Sequence, residues 1–201
     1  MKIIIIILLI IIIFLFLLIK IITLDEINNL IVNYFNIKIK VKNIHNLNNI
    51  KNKKIIIMAN HLNGLDYCII HQVIRKTNIN MFSVAKHNVF GDKNDDNIIS
   101  NILGLFKDRN YNFFNIIPYI RGDRESGKKT KQMMLKKLNN SNLVLLFPEG
   151  EATKSGIPQP NSFKPGSFNL CSENDIYILP ITLKYDKKIG VNRNEPINIK
   201  K

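Results

Sequence analysis

The stretch Ile55-Ile56-Ile57-Met58-Ala59-Asn60-His61-Leu62-Asn63-Gly64-Leu65-Asp66 decides how the chain reads. Its first five residues are apolar and three of them are β-branched, the pattern of a buried strand. A polar turn follows and leads into the helix-like run Tyr67-Cys68-Ile69-Ile70-His71-Gln72-Val73-Ile74. Open α/β sheets carry their reactive groups in the turns at the carboxyl ends of strands, so His61 and Asp66 fall at a cleft. On an unbroken helix two residues five apart point about 140° away from each other and do not meet. A turn must lie between them, and Asn63-Gly64 supplies it. Asp66 then sits in the first turn of the helix, where a carboxylate suits the dipole. From there it accepts a hydrogen bond from the imidazole, sets the tautomer and leaves the other ring nitrogen as a general base.

The same spacing recurs at His87 and Asp92. There the aspartate opens the polar run Asp92-Lys93-Asn94-Asp95-Asp96-Asn97, which reads as a solvated loop. His71 reads as a surface or helix-packing residue. Cys68, two residues after Asp66, reads as a small buried side chain rather than an acyl-carrying nucleophile. Cys68 and Cys171 are the two cysteines of the chain. They make no disulfide framework, which is consistent with a reducing compartment.

Further along, Met81 to Ala85 reads as a second strand, and strand, helix and strand together make a βαβ unit. Residues 25–54 read as a linker helix plus one strand, Ile37 to Val41. The stretch from Phe113 to Ser126 reads as strand, turn and then a helix through about Leu138. Arg121 stands at the strand end, its planar donor fork suited to phosphate, and Gly122-Asp123 opens a helix whose free N–H groups favour an anion. Arg124, Lys128, Lys129 and Lys131 add positive charge on that helix. Leu143 to Phe147 is a buried strand closed by Pro148, which cannot donate to a ladder. Glu149 is thereby projected at the sheet's edge, and Gly150 allows a ligand to approach the backbone closely.

Residues 3–19 are seventeen consecutive Ile, Leu and Phe. A helix from Ile3 to Leu24 would be about 33 Å long, enough to cross a hydrocarbon core of about 30 Å. No Ala or Gly occurs before Ala59, which argues against a cleaved signal peptide and for an uncleaved anchor. Lysines crowd the region after this span while only Lys2 precedes it, so the positive-inside bias puts the main domain on the cytoplasmic side, behind a single-pass or monotopic anchor. The net charge of +14 is spread through an Ile-, Asn- and Lys-rich chain without Trp, which does not favour a nucleic-acid partner. It suits an anionic membrane surface instead. The expectation is an α/β fold with a largely parallel sheet flanked by helices, preceded by one transmembrane or membrane-embedded helix. Its parts are an anchor at 1–24, a linker at 25–54 and a catalytic domain at 55–201.

Asn60-His61 through Asp66 resembles the NHxxxxD motif of the glycerophospholipid acyltransferases, the family that includes the 1-acylglycerol-3-phosphate acyltransferases. Three later stretches resemble the same family in the same order. The segment ending in Arg121 is similar to its second motif, with Ile120 where an acidic residue is frequent. Phe147-Pro148-Glu149-Gly150 matches its FPEG motif. Ile178-Leu179-Pro180-Ile181 is similar to its short apolar-proline motif, and Phe163-Lys164-Pro165-Gly166-Ser167-Phe168 to the F-K-x-G-x-F segment between these last two. The resemblance implies that His61 and Asp66 are catalytic, and that Arg121, Glu149 and Gly150 bind the glycerol phosphate of the acceptor. Lys154 stands in for an Arg that often follows the FPEG motif. It further implies acyl transfer from acyl-CoA or acyl carrier protein to the free hydroxyl of a lysophospholipid, above all lysophosphatidic acid, with no metal and no cofactor. The alternatives are remodelling of lysophosphatidylcholine or lysophosphatidylethanolamine, and a non-catalytic membrane-tethered lipid- or anion-binding protein.

Overall fold

A computed structural model describes residues 23–50, 53–88, 111–153 and 163–185. The chain divides into two compact units, residues 1–38 and 39–201.

In the first unit, helix α1 (Leu24–Tyr34) begins at Thr23, whose backbone is extended at φ −84° and ψ 161°. The Thr23 hydroxyl accepts the Glu26 N–H at 3.2 Å and the Glu26 carboxylate accepts the Thr23 N–H at 2.6 Å, a complete capping box. The expected helix from Ile3 to Leu24 therefore does not run on through Thr23. The rest of the expected anchor, residues 1–22, lies outside the described residues. Among the described residues no helix is long and apolar enough to cross a membrane.

The strand expected at Ile37 to Val41 does not form. The alternation Ile37-Lys38-Ile39-Lys40-Val41 marks out an apolar side, but a strand exists only through pairing, and no ladder among the described residues reaches this segment. It gives way to a 3₁₀ turn at Ile44–Asn49.

The second unit is built on five strands: β1 (Ile55–Ala59), β2 (Met81–Lys86), β3 (Ile116–Tyr119), β4 (Leu143–Leu146) and β5 (Tyr177–Ile181). All pairings are parallel and the spatial order is β3-β2-β4-β1-β5. Ile55 is in register with Leu143 and Met58 with Leu146, so the two most buried strands lie side by side at the centre. Among the described residues three helices cover the sheet: α2 (Asp66–Ile74), α3 (Arg124–Asn139) and α4 (Gly166–Glu173).

The period-two alternation of the strands sorts the core onto two faces. Ile56, Met58, Val144 and Leu146 pack with Met134 and Leu138 of α3 and with Leu170 and Cys171 of α4. Ile55, Ile57, Ala59, Leu143 and Leu145 pack on the other face with Ile70 and Ile74 of α2. Each such fully buried aliphatic side chain contributes about 1.5–3 kcal/mol, which makes β1 and β4 the most firmly held part of the unit. The helices that follow these two neighbours, α2 and α4, go to opposite faces. That divergence opens a crevice beyond their carboxyl ends, the usual place for a ligand in an open parallel sheet.

Candidate active site

The chain leaves β1 through Asn60 and His61 and turns at Asn63-Gly64 into α2. The Asn63 side-chain oxygen accepts the Leu65 N–H at 2.7 Å, a local turn that brings Asp66 back under His61. The His61 Nδ1 lies 2.8 Å from Oδ2 of Asp66. The same oxygen accepts the backbone N–H groups of Leu62, at 2.6 Å, and Asn63, at 2.9 Å. The other oxygen, Oδ1, accepts the hydroxyl proton of Tyr185. Asp66 has no exposed surface, so a charge there survives only because donors surround it. With Asp66 accepting at Nδ1, that nitrogen carries the proton and Nε2 is left with its lone pair. The His61 side chain is 22 % exposed, enough for a substrate to reach it.

The loop after β4 wraps the histidine from the other side. The Phe147 ring stacks on the imidazole with centroids 4.1 Å apart and planes 14° from parallel. Six residues on, the Thr153 N–H donates to the His61 carbonyl at 2.9 Å. Between these contacts, Glu149 is 5 % exposed and neither of its carboxylate oxygens has a partner among the described residues. Burial pushes its carboxyl above the usual range. The backbone N–H of His61, near it without completing a hydrogen bond, and the His61 ring pull it part of the way back, and the nearby Asp66 raises it again.

Gly150 turns the chain at a left-handed φ of +78°. A Cβ there would meet only the mobile end of Lys164, its ammonium at 2.9 Å, so it is the left-handed conformation that calls for glycine. The Gly150 carbonyl accepts Nη2 of Arg121 at 3.1 Å, and Nη1 of Arg121 reaches Glu151 at 3.3 Å. Arg121 and Lys164 therefore converge on Gly150. The N-terminus of α3 does not join them: Oδ1 of Asp123 accepts the N–H groups of Glu125 and Ser126 at 2.9 and 3.0 Å. The anion site expected on those N–H groups is filled by the helix's own cap.

A family model described as Acyltransferase matches residues 38–184. The chain belongs to the acyltransferase family. No curated protein and no solved structure matches it.

In this acyltransferase the matched span contains His61, Asp66, Arg121, Glu149 and Gly150, and it stops one residue short of Tyr185. The structure brings His61 and Asp66 into direct contact, sets Glu149 beside them and places Arg121 against Gly150. Glu149 leaves the central strand of the sheet rather than its edge. Lys154 lies outside the described residues, as does Asp92. Lys164, inside the segment similar to F-K-x-G-x-F, is a cation at the site that pattern reading left without a role. Cys68 is buried and its thiol is pushed up to about 11 by that burial, which keeps it protonated and poorly nucleophilic at neutral pH. Among the described residues no three His, Cys, Asp or Glu side chains gather as a metal would require.

Proposed function

We propose that this acyltransferase moves an acyl group from acyl-CoA, or an acyl carrier protein, to the free hydroxyl of a lysophospholipid, with lysophosphatidic acid as the favoured acceptor. His61 Nε2 removes the hydroxyl proton as the oxygen attacks the thioester carbonyl. Asp66 stabilises the imidazolium, the tetrahedral intermediate collapses with loss of the thiolate, and the proton returns from His61 to the leaving sulfur. Arg121 and Lys164 hold the phosphate, and Glu149 takes hydroxyl or phosphate protons of the glycerol moiety as hydrogen-bond donors. Lys154 lies three residues after the Glu151 that pairs with Arg121 and adds a further cation to the same acceptor. The observation that carries this reading is the single loop from Phe147 to Thr153, which grips His61 at both ends and Arg121 in its middle. A phosphate held at Arg121 is thereby kept within one short loop of the base, the orientation that an attack at a bilayer surface needs.

The enzyme is proposed to work at the cytoplasmic face of a membrane, through residues 1–24 as a single-pass or monotopic anchor. Lysophosphatidylethanolamine is the second acceptor worth testing, because Glu151 beside Arg121 is placed to meet an ammonium next to a phosphate.

The test is radiolabelled acyl-CoA offered with a panel of lysophospholipids to the full-length protein and to His61→Ala. Loss of a general base lowers turnover by about 10²- to 10⁴-fold. Near wild-type turnover in His61→Ala, or an acyl-enzyme trapped on Cys68, overturns the mechanism. Binding of lysolipid without any product from any acceptor overturns the enzymatic reading itself.

A further inference from the structure

Asp66 is the best-partnered side chain of the site, and one of its partners comes from far along the chain. Tyr185 donates its hydroxyl to Oδ1 of Asp66 across 119 residues of sequence. The route by which it arrives can be followed. The pairing of β1 with β5 ends at Ala59 and Ile181. Beyond that point Asn60, itself buried, extends the pairing with its side chain: Oδ1 accepts the Leu183 N–H at 2.7 Å and Nδ2 donates to the Leu183 carbonyl at 3.1 Å. An amide side chain thus acts as one more rung of the ladder. Leu179, Ile181 and Leu183 all pack on the α2 side of the sheet. Tyr185 continues this alternation and comes out on the same side, where Asp66 opens α2.

We propose that Tyr185 is a positioning residue for acyl transfer: by holding Oδ1 it fixes the plane of the Asp66 carboxylate, so that Oδ2 stays on Nδ1 of His61, and Asn60 delivers it there through Leu183. The inference rests on the reading of His61 as the base. A carboxylate with donors on one oxygen only can rock about its terminal torsion, which is broad and soft. Donors on both oxygens remove that freedom. The two backbone N–H groups on Oδ2 already anchor one side, and the tyrosine hydroxyl completes the other. Burial and the Asp66 charge both raise the Tyr185 phenol, so it remains a donor throughout any usable pH range.

Tyr185→Phe removes one oxygen atom and keeps the ring. With labelled palmitoyl-CoA and lysophosphatidic acid, the full-chain variant is expected to lose about 10- to 100-fold in kcat, the span of one hydrogen bond to a charged group, with KM for both substrates within about 2-fold of wild type. Asn60→Ala is expected to show the same split with a smaller loss. In an Asp66→Asn background Tyr185→Phe should cost nothing further, because the carboxylate it positions is gone. A merely structural tyrosine gives equal losses in both backgrounds, and that outcome overturns the proposal. So does wild-type kcat in Tyr185→Phe. If His61→Ala is inactive in the same assay while Tyr185→Phe is unaffected, only the role of Tyr185 fails. If His61→Ala turns over normally, the reading of the dyad fails and this inference falls with it.

Discussion

A buried carboxylate without a full hydrogen bond lowers the stability of the fold that holds it, and Glu149 has no such bond among the described residues. Its pKa is raised, so the sign of its pH dependence can be worked out. Below the unfolded value of about 4.3 both states carry a neutral carboxyl and there is no penalty. As pH rises through the folded value the native state must carry a buried charge that the unfolded chain carries freely, and stability falls. Glu149→Gln removes that charge while keeping the shape. The variant should be more stable than wild type at pH 7 by about 1–2 kcal/mol, or roughly 2–6 °C in Tm, with the difference vanishing near pH 4. Differential scanning fluorimetry at the two pH values measures this. It should also be a poor enzyme, with a raised KM for lysophosphatidic acid, if the acceptor supplies the donors that Glu149 lacks among the described residues. A variant less stable at pH 7 than at pH 4, relative to wild type, shows that Glu149 has a protein partner and no need of a ligand.

At the scale of elements, the turns matter more than the helices. Arg121 stands on the β3–α3 turn, where Gly122 takes φ +81° and Asp123 caps α3, so its backbone is fixed while its side chain is 43 % exposed. Its ion pair with Glu151, itself 66 % exposed, is a surface pair worth about 0.2–1 kcal/mol, and a phosphate bound as proposed has to displace it. Glu151→Gln should therefore lower KM for lysophosphatidic acid by about 1.5- to 5-fold, with kcat unchanged. Steady-state kinetics with lysophosphatidic acid and lysophosphatidylethanolamine decide between the acceptor readings, since only the second substrate should bind worse. An unchanged KM for both means that the Arg121 fork does not take the phosphate.

These turns also show which parts of the site the sequence could disclose. The His61–Asp66 contact closes within six residues and one Asn-Gly turn, so local rules reach it. The approach of Arg121 to Gly150 spans 29 residues, and only the family resemblance paired the two. Tyr185 lies 119 residues from Asp66; its one local signal was the alternation Leu179, Ile181, Leu183, Tyr185, which marks a face and says nothing of the partner. The same limit produced the unformed strand at Ile37 to Val41. Strand β5 (Tyr177–Ile181) drew notice only for its similarity to a family motif, while the other four of the five strands were readable as short apolar runs. The order β3-β2-β4-β1-β5 was not, because pairing is decided between segments that no short window contains.

For the whole molecule, the balance of 29 basic against 15 acidic residues has to find a use. Helix α3 shows how the fold disposes of part of it: Thr130, Met134 and Leu138 face the core at helical spacing, while Arg124, Lys128, Lys129, Lys131 and Lys136 are exposed. Lys137 lays its ammonium over the Phe82 ring at 3.9 Å, and Lys128 pairs with Glu125. The others are free to meet an anionic surface, at about 1 kcal/mol per charge near the headgroups. The two proposed kinds of membrane attachment then make separable predictions. Deleting residues 1–24 removes the apolar run but only two of the 29 basic side chains, Lys2 and Lys20. The shortened protein should still bind vesicles containing phosphatidylserine at low salt. It should release as the salt approaches about 1 M, where the screening length shrinks to about 3 Å, and it should ignore neutral vesicles throughout. The full-length protein should instead stay in the membrane pellet through alkaline carbonate extraction, because an apolar segment in hydrocarbon is indifferent to charge screening and to pH. Release of the full-length protein by carbonate removes the anchor from the proposal and leaves a peripheral enzyme held by its lysines. Equal binding of the shortened protein to neutral and anionic vesicles removes the lysines from it instead.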